Sequence, residues 1–226
     1  MTYNVKKIKD KNQAGFTIIE LMVATMVFAT VLVILTSGVI YFTNTYYKGI
    51  TLSTTQNTAR QITEDVSRAI QFGGNASTAQ KALIGSSPDE AYYLCVGGKR
   101  YTYVLDKQVS DNPSNGQAYH ALVVDKPSVC NAPNEKFNSN DVAGSSVATT
   151  QELIPSRMRL VEFSVVPVSS GGADNLYKIT VSVAFGDDDL FEVKSDGKPD
   201  YRRCATTKGS HFCGTATLVT SVQERV

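Results

Sequence analysis

The stretch Gln13-Ala14-Gly15-Phe16-Thr17-Ile18-Ile19-Glu20-Leu21-Met22-Val23-Ala24, with the uncharged run it opens, decides how the rest of the chain is read. From Leu21 to Tyr47 there are 27 residues without a charge, rich in Val, Leu, Ile, Met and Phe, before Lys48 ends the run. That exceeds the roughly 20 residues with which a helix crosses a bilayer core. Upstream, four lysines (Lys6, Lys7, Lys9, Lys11) less Asp10 give residues 1–15 a charge of +3, so the other 211 of the 226 residues carry −2 of the net +1. Basic residues before the run and none after it until Lys48 put the N-terminus in the cytoplasm and the bulk of the chain outside. A secretory signal peptide has a shorter apolar core and a small-residue A-x-A-like end, and no such site follows Leu35. A plain membrane anchor leaves Glu20 unexplained, because an ionisable group at the start of an apolar span is costly and marks a functional position.

Residues 13–24 closely resemble the cleavage and methylation motif of type IV prepilins and of type II secretion pseudopilins. The resemblance implies a leader, residues 1–15, cut after Gly15 on the cytoplasmic side by prepilin peptidase, with Phe16 becoming the N-methylated first residue. It further implies that Glu20 neutralises the amine of a neighbouring subunit inside a filament, which in hydrocarbon offsets a large desolvation cost. The residues agree with this. Gly15, without a Cβ, lets an extended backbone lie against a protease, and Phe16 opens the helix with a large apolar anchor. Glu20 stands one turn along, on the same face as the Phe16 amine.

Beyond the membrane run the helix continues. Ala59, Ile62, Val66, Ala69 and Ile70 recur at three- and four-residue spacing, and Arg60, Glu64 and Arg68 form a charge ladder on another face. Gly73-Gly74-Asn75 is a stop signal, which predicts one helix from about Phe16 to Phe72. Pilins often carry a proline within this helix; here none precedes Pro88, and Thr36-Ser37-Gly38 is the soft spot where a gentle bend is expected. The chain thus divides into residues 1–15 (leader), 16–47 (transmembrane and filament-core helix), 48–74 (amphipathic continuation) and 75–226 (an extracytoplasmic β-rich head).

In the head, Ala91–Val96 and Lys99–Asp106 are strands joined by Gly97-Gly98, a hairpin signal. Asp111–Gly116 reads as a turn, Ala118–Val124 as a strand and Lys126–Gln151 as a long Asn/Ser/Ala/Pro-rich surface loop. Val161, Phe163 and Val165 alternate with polar residues, as do Tyr177, Ile179, Val181, Val183 and Phe185 across a turn at Ser169–Asn175, so one face of this hairpin is buried. Its natural cover is the apolar stripe of the helix. The expected fold class is α+β, pilin-like, with one long N-terminal helix packed on an antiparallel sheet. The element order, closing on a Thr/Val strand and Gln223-Glu224-Arg225, is similar to that of J-type minor pseudopilins and W-type minor pilins.

Cys95, Cys130, Cys204 and Cys213 fall in the part placed outside the cytoplasm, where disulfides persist, and allow three pairings. Closeness in sequence favours Cys95 with Cys130 and Cys204 with Cys213, and the second pair resembles the C-terminal disulfide loop of many pilins. Closing such a short loop contributes roughly 2 to 3 kcal/mol. A metal site of Cys204, His211 and Cys213 lacks C-x-x-C spacing. Asp187, Asp188 and Asp189, with Asp196 and Asp200, could offer oxygens to calcium, as a C-terminal loop of some pseudopilins does, but the pattern is no EF-hand and composition favours a solvated acidic turn. No cofactor is assigned. Lys99-Arg100 and Arg202-Arg203 read as ordinary surface, so no nucleic acid is assigned as a partner.

Two His residues, no G-x-S-x-G, H-E-x-x-H or phosphate loop, and no paired acids in the head argue against an enzyme. The expected function is a minor pilin or pseudopilin of a type IV pilus, type II secretion pseudopilus or competence filament, machines that share this N-terminal motif. Its implied partners are prepilin peptidase, other pilin subunits and an inner-membrane assembly platform; its implied location is the inner membrane and then the filament. The rival of a different class is a single-pass receptor or enzyme whose head acts alone on a ligand.

Overall fold

The computed structural model describes residues 15–74, 76–82, 90–109, 120–131, 151–168, 175–206 and 209–225. Residues 1–14 of the expected leader, the turn over 111–116, and most of the loop over 126–151 and of the turn over 169–175 lie outside the described residues. The chain divides at Asn44/Thr45 into two compact units, and helix α1 (Ile18–Gly73) contributes to both.

In the first unit α1 carries an apolar surface that is exposed among the described residues. Every large hydrophobic side chain from Phe16 to Phe42 is exposed. Its span of Ile18 to Asn44 is about 40 Å long, enough for a hydrocarbon core of about 30 Å. The hydroxyls within this run bond to carbonyls of their own helix: Thr25 donates to Met22 (2.9 Å), Thr30 to Val27 (2.8 Å), Thr36 to Leu32 (2.7 Å), Ser37 to Val33 (2.8 Å) and Thr43 to Val39 (2.8 Å). Polar groups satisfied inside the segment are what a lipid environment demands. The helix runs unbroken through Thr36-Ser37-Gly38. It begins at Ile18, two residues later than expected, so Phe16 precedes the helix instead of opening it.

The second unit contains the head. Strands β1 (Gln80–Ala82), β2 (Ala91–Val96), β3 (Lys99–Val104), β4 (Leu122–Asp125) and β5 (Gln151–Glu152) form an antiparallel sheet in chain order. Strands β6 (Met158–Pro167), β7 (Leu176–Phe185) and β10 (Gly214–Gln223) form a second, ordered β10-β7-β6. A small hairpin, β8 (Phe191–Val193) with β9 (Pro199–Cys204), lies between β7 and β10 in the chain. One core joins the helix to both large sheets: Ala59, Ile62, Val66, Ala69 and Ile70 cluster with Leu94, Tyr101 and Leu122 and with Phe163, Ile179, Val181 and Val183. The apolar stripe at three- and four-residue spacing is therefore the buried stripe.

Glycine makes one of these contacts possible. Gly97 and Gly98 take φ of 55° and 75°, as a two-residue hairpin turn requires. A Cβ on Gly97 would fall on the Ala69 carbonyl oxygen, and one on Gly73 would fall on the Gly97 Cα. The turn thus touches the helix end backbone to backbone.

Two expectations about the strands are corrected. A β-bulge between Leu160 and Glu162 leaves Val161 out of register, so Leu160 takes the core position and Val161 packs instead with Ala184, Phe191 and Cys213. Single alternation over β7 also understates its burial, because Ser182 and Ala184 on its other face are buried too.

Candidate functional site

The candidate site at the N-terminus is built around Glu20. The Glu20 carboxylate accepts from the Thr17 backbone N–H at 3.0 Å and from the Thr17 hydroxyl at 2.9 Å, while the Thr17 hydroxyl oxygen accepts from the Glu20 N–H at 3.3 Å. This is a capping box, in which the cap residue and the third helical residue satisfy each other's free amides. It fixes the helix start at Ile18. The spacing Thr17-Ile18-Ile19-Glu20 before an apolar run carries that signal, and the sequence reading assigned it to assembly alone. Glu20 near a helix N-terminus is also favoured by the helix dipole. Among the described residues beyond its chain neighbours, Gly15 has no atom within 4 Å of where a Cβ would stand, and Phe16 is 84% exposed. Both positions expected to be recognised by other proteins are therefore accessible.

In the head, polar side chains tie the helix to the sheets. Asp65 on α1 accepts from Lys99 Nζ at 2.6 Å and from the Tyr101 hydroxyl at 2.7 Å. Burial, then the Asp65 carboxylate, pushes the Tyr101 phenol far up from its usual value. Arg100 pairs with Asp125 and donates to the Asn131 carbonyl at 2.9 Å. These two basic residues, expected as ordinary surface, are half-buried structural ties. Arg202 pairs with Glu162 at 2.9 Å and Arg203 with Glu192 at 3.9 Å.

The acidic turn is occupied by arginines. Arg159, 2% exposed, donates to Asp188 at 2.6 Å and to the Gly186 carbonyl at 2.8 Å, and lies over the Tyr201 ring at 4.0 Å. Arg157 reaches Asp187 at 3.3 Å. Two of the three consecutive acids thus have cationic partners, and no group of three or more metal-ligating side chains occurs among the described residues. Arg159 was missed by the sequence reading, since a buried guanidinium looks like any surface arginine until the strand that covers it is known.

Cys95 is bonded to Cys130, with Cα atoms 6.3 Å apart, and Cys204 to Cys213, at 5.8 Å. A groove of about 640 Å³ is lined by Gln61, Ile62, Asp65 and Gln151–Ser156. Its carboxylates are already engaged: Asp65 as above, and Glu152 by the backbone amides of Leu122 and Ile154, each at 3.0 Å.

Taken together, an apolar helix long enough to cross a membrane and a disulfide-bonded α+β head give a pilin-like architecture that fits membrane anchoring. Residues 10–36 match the family model of the prokaryotic N-terminal methylation motif. The chain carries the N-terminal signature of the type IV prepilin and pseudopilin family, and nothing in that match singles out a J-type or W-type subunit. No curated protein and no solved structure gives a significant match to the chain.

Proposed function

We propose that the protein is a minor pilin or pseudopilin, made as a precursor, cleaved after Gly15 by prepilin peptidase, N-methylated at Phe16 and assembled into a filament through residues 16–47. The observation that carries this reading is the methylation motif over residues 10–36, with Glu20 as the acid in an otherwise apolar run. The positive-inside rule supports a cytoplasmic leader and an external head. The two disulfides are consistent with an oxidising compartment for the head. The role is structural: the head offers neighbours a surface, and the N-terminal helix supplies register.

Glu20 then has two successive partners. In the single subunit its carboxylate caps its own helix. In the filament it trades the Thr17 contact for the amine of an adjacent Phe16, a charge-assisted bond in a dry environment. Two variants test this in a strain that makes the filament. Gly15→Val is expected to accumulate full-length precursor in the membrane. Glu20→Ala is expected to be processed and inserted yet to stay out of filaments. Normal incorporation of the Glu20→Ala chain would remove the register role.

A further inference from the structure

The ring closed by Cys204 and Cys213 holds an exposed aromatic where the helix leaves its apolar run. Phe212, 41% exposed, packs on Tyr47 with ring centroids 5.5 Å apart; Tyr46 meets Tyr47 edge-on at 6.2 Å, and His211 lies 4.1 Å from Phe212. The next residue but one, Gly214, lies against Thr51 and Thr55, so β10 starts at the Thr45 end of the head. Its far end is fixed by Arg225 N–H donating to the Gln71 carbonyl.

From Glu20 to Tyr47 the helix rises about 40 Å, the thickness of a bilayer with its headgroups. Tyr and Trp collect at that level because their rings are apolar and their edges polar, and Lys48 follows at once. We propose that Phe212, held by its disulfide ring against Tyr46 and Tyr47, is an interfacial anchor that seats the head on the outer headgroup layer of the membrane. It is a lipid contact made by the head itself, separate from the spanning helix, and it rests on the membrane-spanning reading above.

The chain has no tryptophan, so single Trp variants report depth without background. The full chain is reconstituted into phosphatidylcholine vesicles carrying a nitroxide either on the headgroup or at the acyl-chain end. Phe212→Trp is compared with Val31→Trp in the apolar run and with Val166→Trp. Val166 aligns through Lys178 with Ser221, about 23 Å along β10 from Gly214. The headgroup label is expected to quench Phe212→Trp at least about threefold more than Val166→Trp, and the chain-end label to quench Val31→Trp. Adding Cys204→Ser and Cys213→Ser is expected to lower the Phe212→Trp quenching at least about twofold, because the ring then wanders. Quenched Val31→Trp with unquenched Phe212→Trp overturns the anchor and leaves the membrane reading standing. Unquenched Val31→Trp removes the membrane reading and the anchor with it. Equal quenching with and without the ring cysteines overturns the claim that the disulfide seats Phe212.

Discussion

The two halves of α1 are one helix in two environments. Before Asn44, Ile34 and Leu35 are 70% and 60% exposed and rest on no protein; after Thr45, Ile62 and Ile70 are 1% and 0% exposed beneath two sheets. The composition differs accordingly. The first half carries large apolar side chains all round, as a span facing hydrocarbon would, while the second buries one stripe, Ala59, Ile62, Val66, Ala69 and Ile70, and turns Arg60, Glu64 and Arg68 outward. Hydrophobicity in this chain thus has two jobs, and only its distribution around the helix tells them apart. Threonine follows the same division: in both halves its hydroxyl returns to the carbonyl of an earlier turn, as Thr63 does to Ala59 at 2.8 Å. In the first half that satisfies a polar group within the helix, as a membrane span requires; in the second, it satisfies one within a core.

The largest expected effect separates the halves directly. Ile62→Ala should cost the head about 2 to 5 kcal/mol by leaving a core cavity, whereas Ile34→Ala should leave its stability unchanged. Urea unfolding of the detergent-solubilised chain, followed by near-UV dichroism of the tyrosines, checks both; equal losses would erase the distinction. Next, Val31→Lys should impose about 2.5 to 3.5 kcal/mol on insertion and lower the fraction recovered in membranes, with the unfolding of the head unaltered.

A smaller effect concerns the buried tyrosines of β3. Burial raises the Tyr103 phenol to about 12, and Tyr101 further in the same direction, against an ordinary 10.0. Below pH about 10 both folded and unfolded chains hold these protons. Above it the unfolded chain releases them first, so stability falls with rising pH by about 1 kcal/mol per unit for each tyrosine. Tyr103→Phe should flatten that alkaline slope, and unfolding at pH about 9 and about 11 measures it. The smallest effect is at the cap: Thr17→Ala removes one side of the capping box and should cost about 1 kcal/mol of local helix stability, read as faster amide exchange at Glu20 and Leu21.

The long helix, the hairpin at Gly97-Gly98 and the β6–β7 pair were legible because each rests on a local pattern: an uncharged run, two residues free to take positive φ, and period-two alternation. The bulge at Val161 was not. It shifts the alternation by one residue, and Val161 suits either face in sequence; only the pairing of Leu160 with Val183 and of Glu162 with Ser182 reveals the skipped position. The hairpin β8–β9 is hidden in sequence behind the acidic residues Asp187–Asp189, Asp196 and Asp200, because β8 is only three residues long and β9 starts with Pro199. The guanidinium of Arg159 and the clamp of Asp65 on Lys99 and Tyr101 join residues 29 or more apart in the chain, which no local spacing encodes. At the N-terminus the motif was fully legible, yet its resemblance to a processing signal masked the simpler helix cap in the same four residues.

Cleavage after Gly15 is decided by the N-terminus of the protein extracted from membranes. Sequencing or intact mass is expected to find a chain of 211 residues beginning with N-methylated Phe16, residues 1–15 having been removed from the 226. A membrane-extracted chain that still begins at Met1, in cells with an active prepilin peptidase, would contradict it.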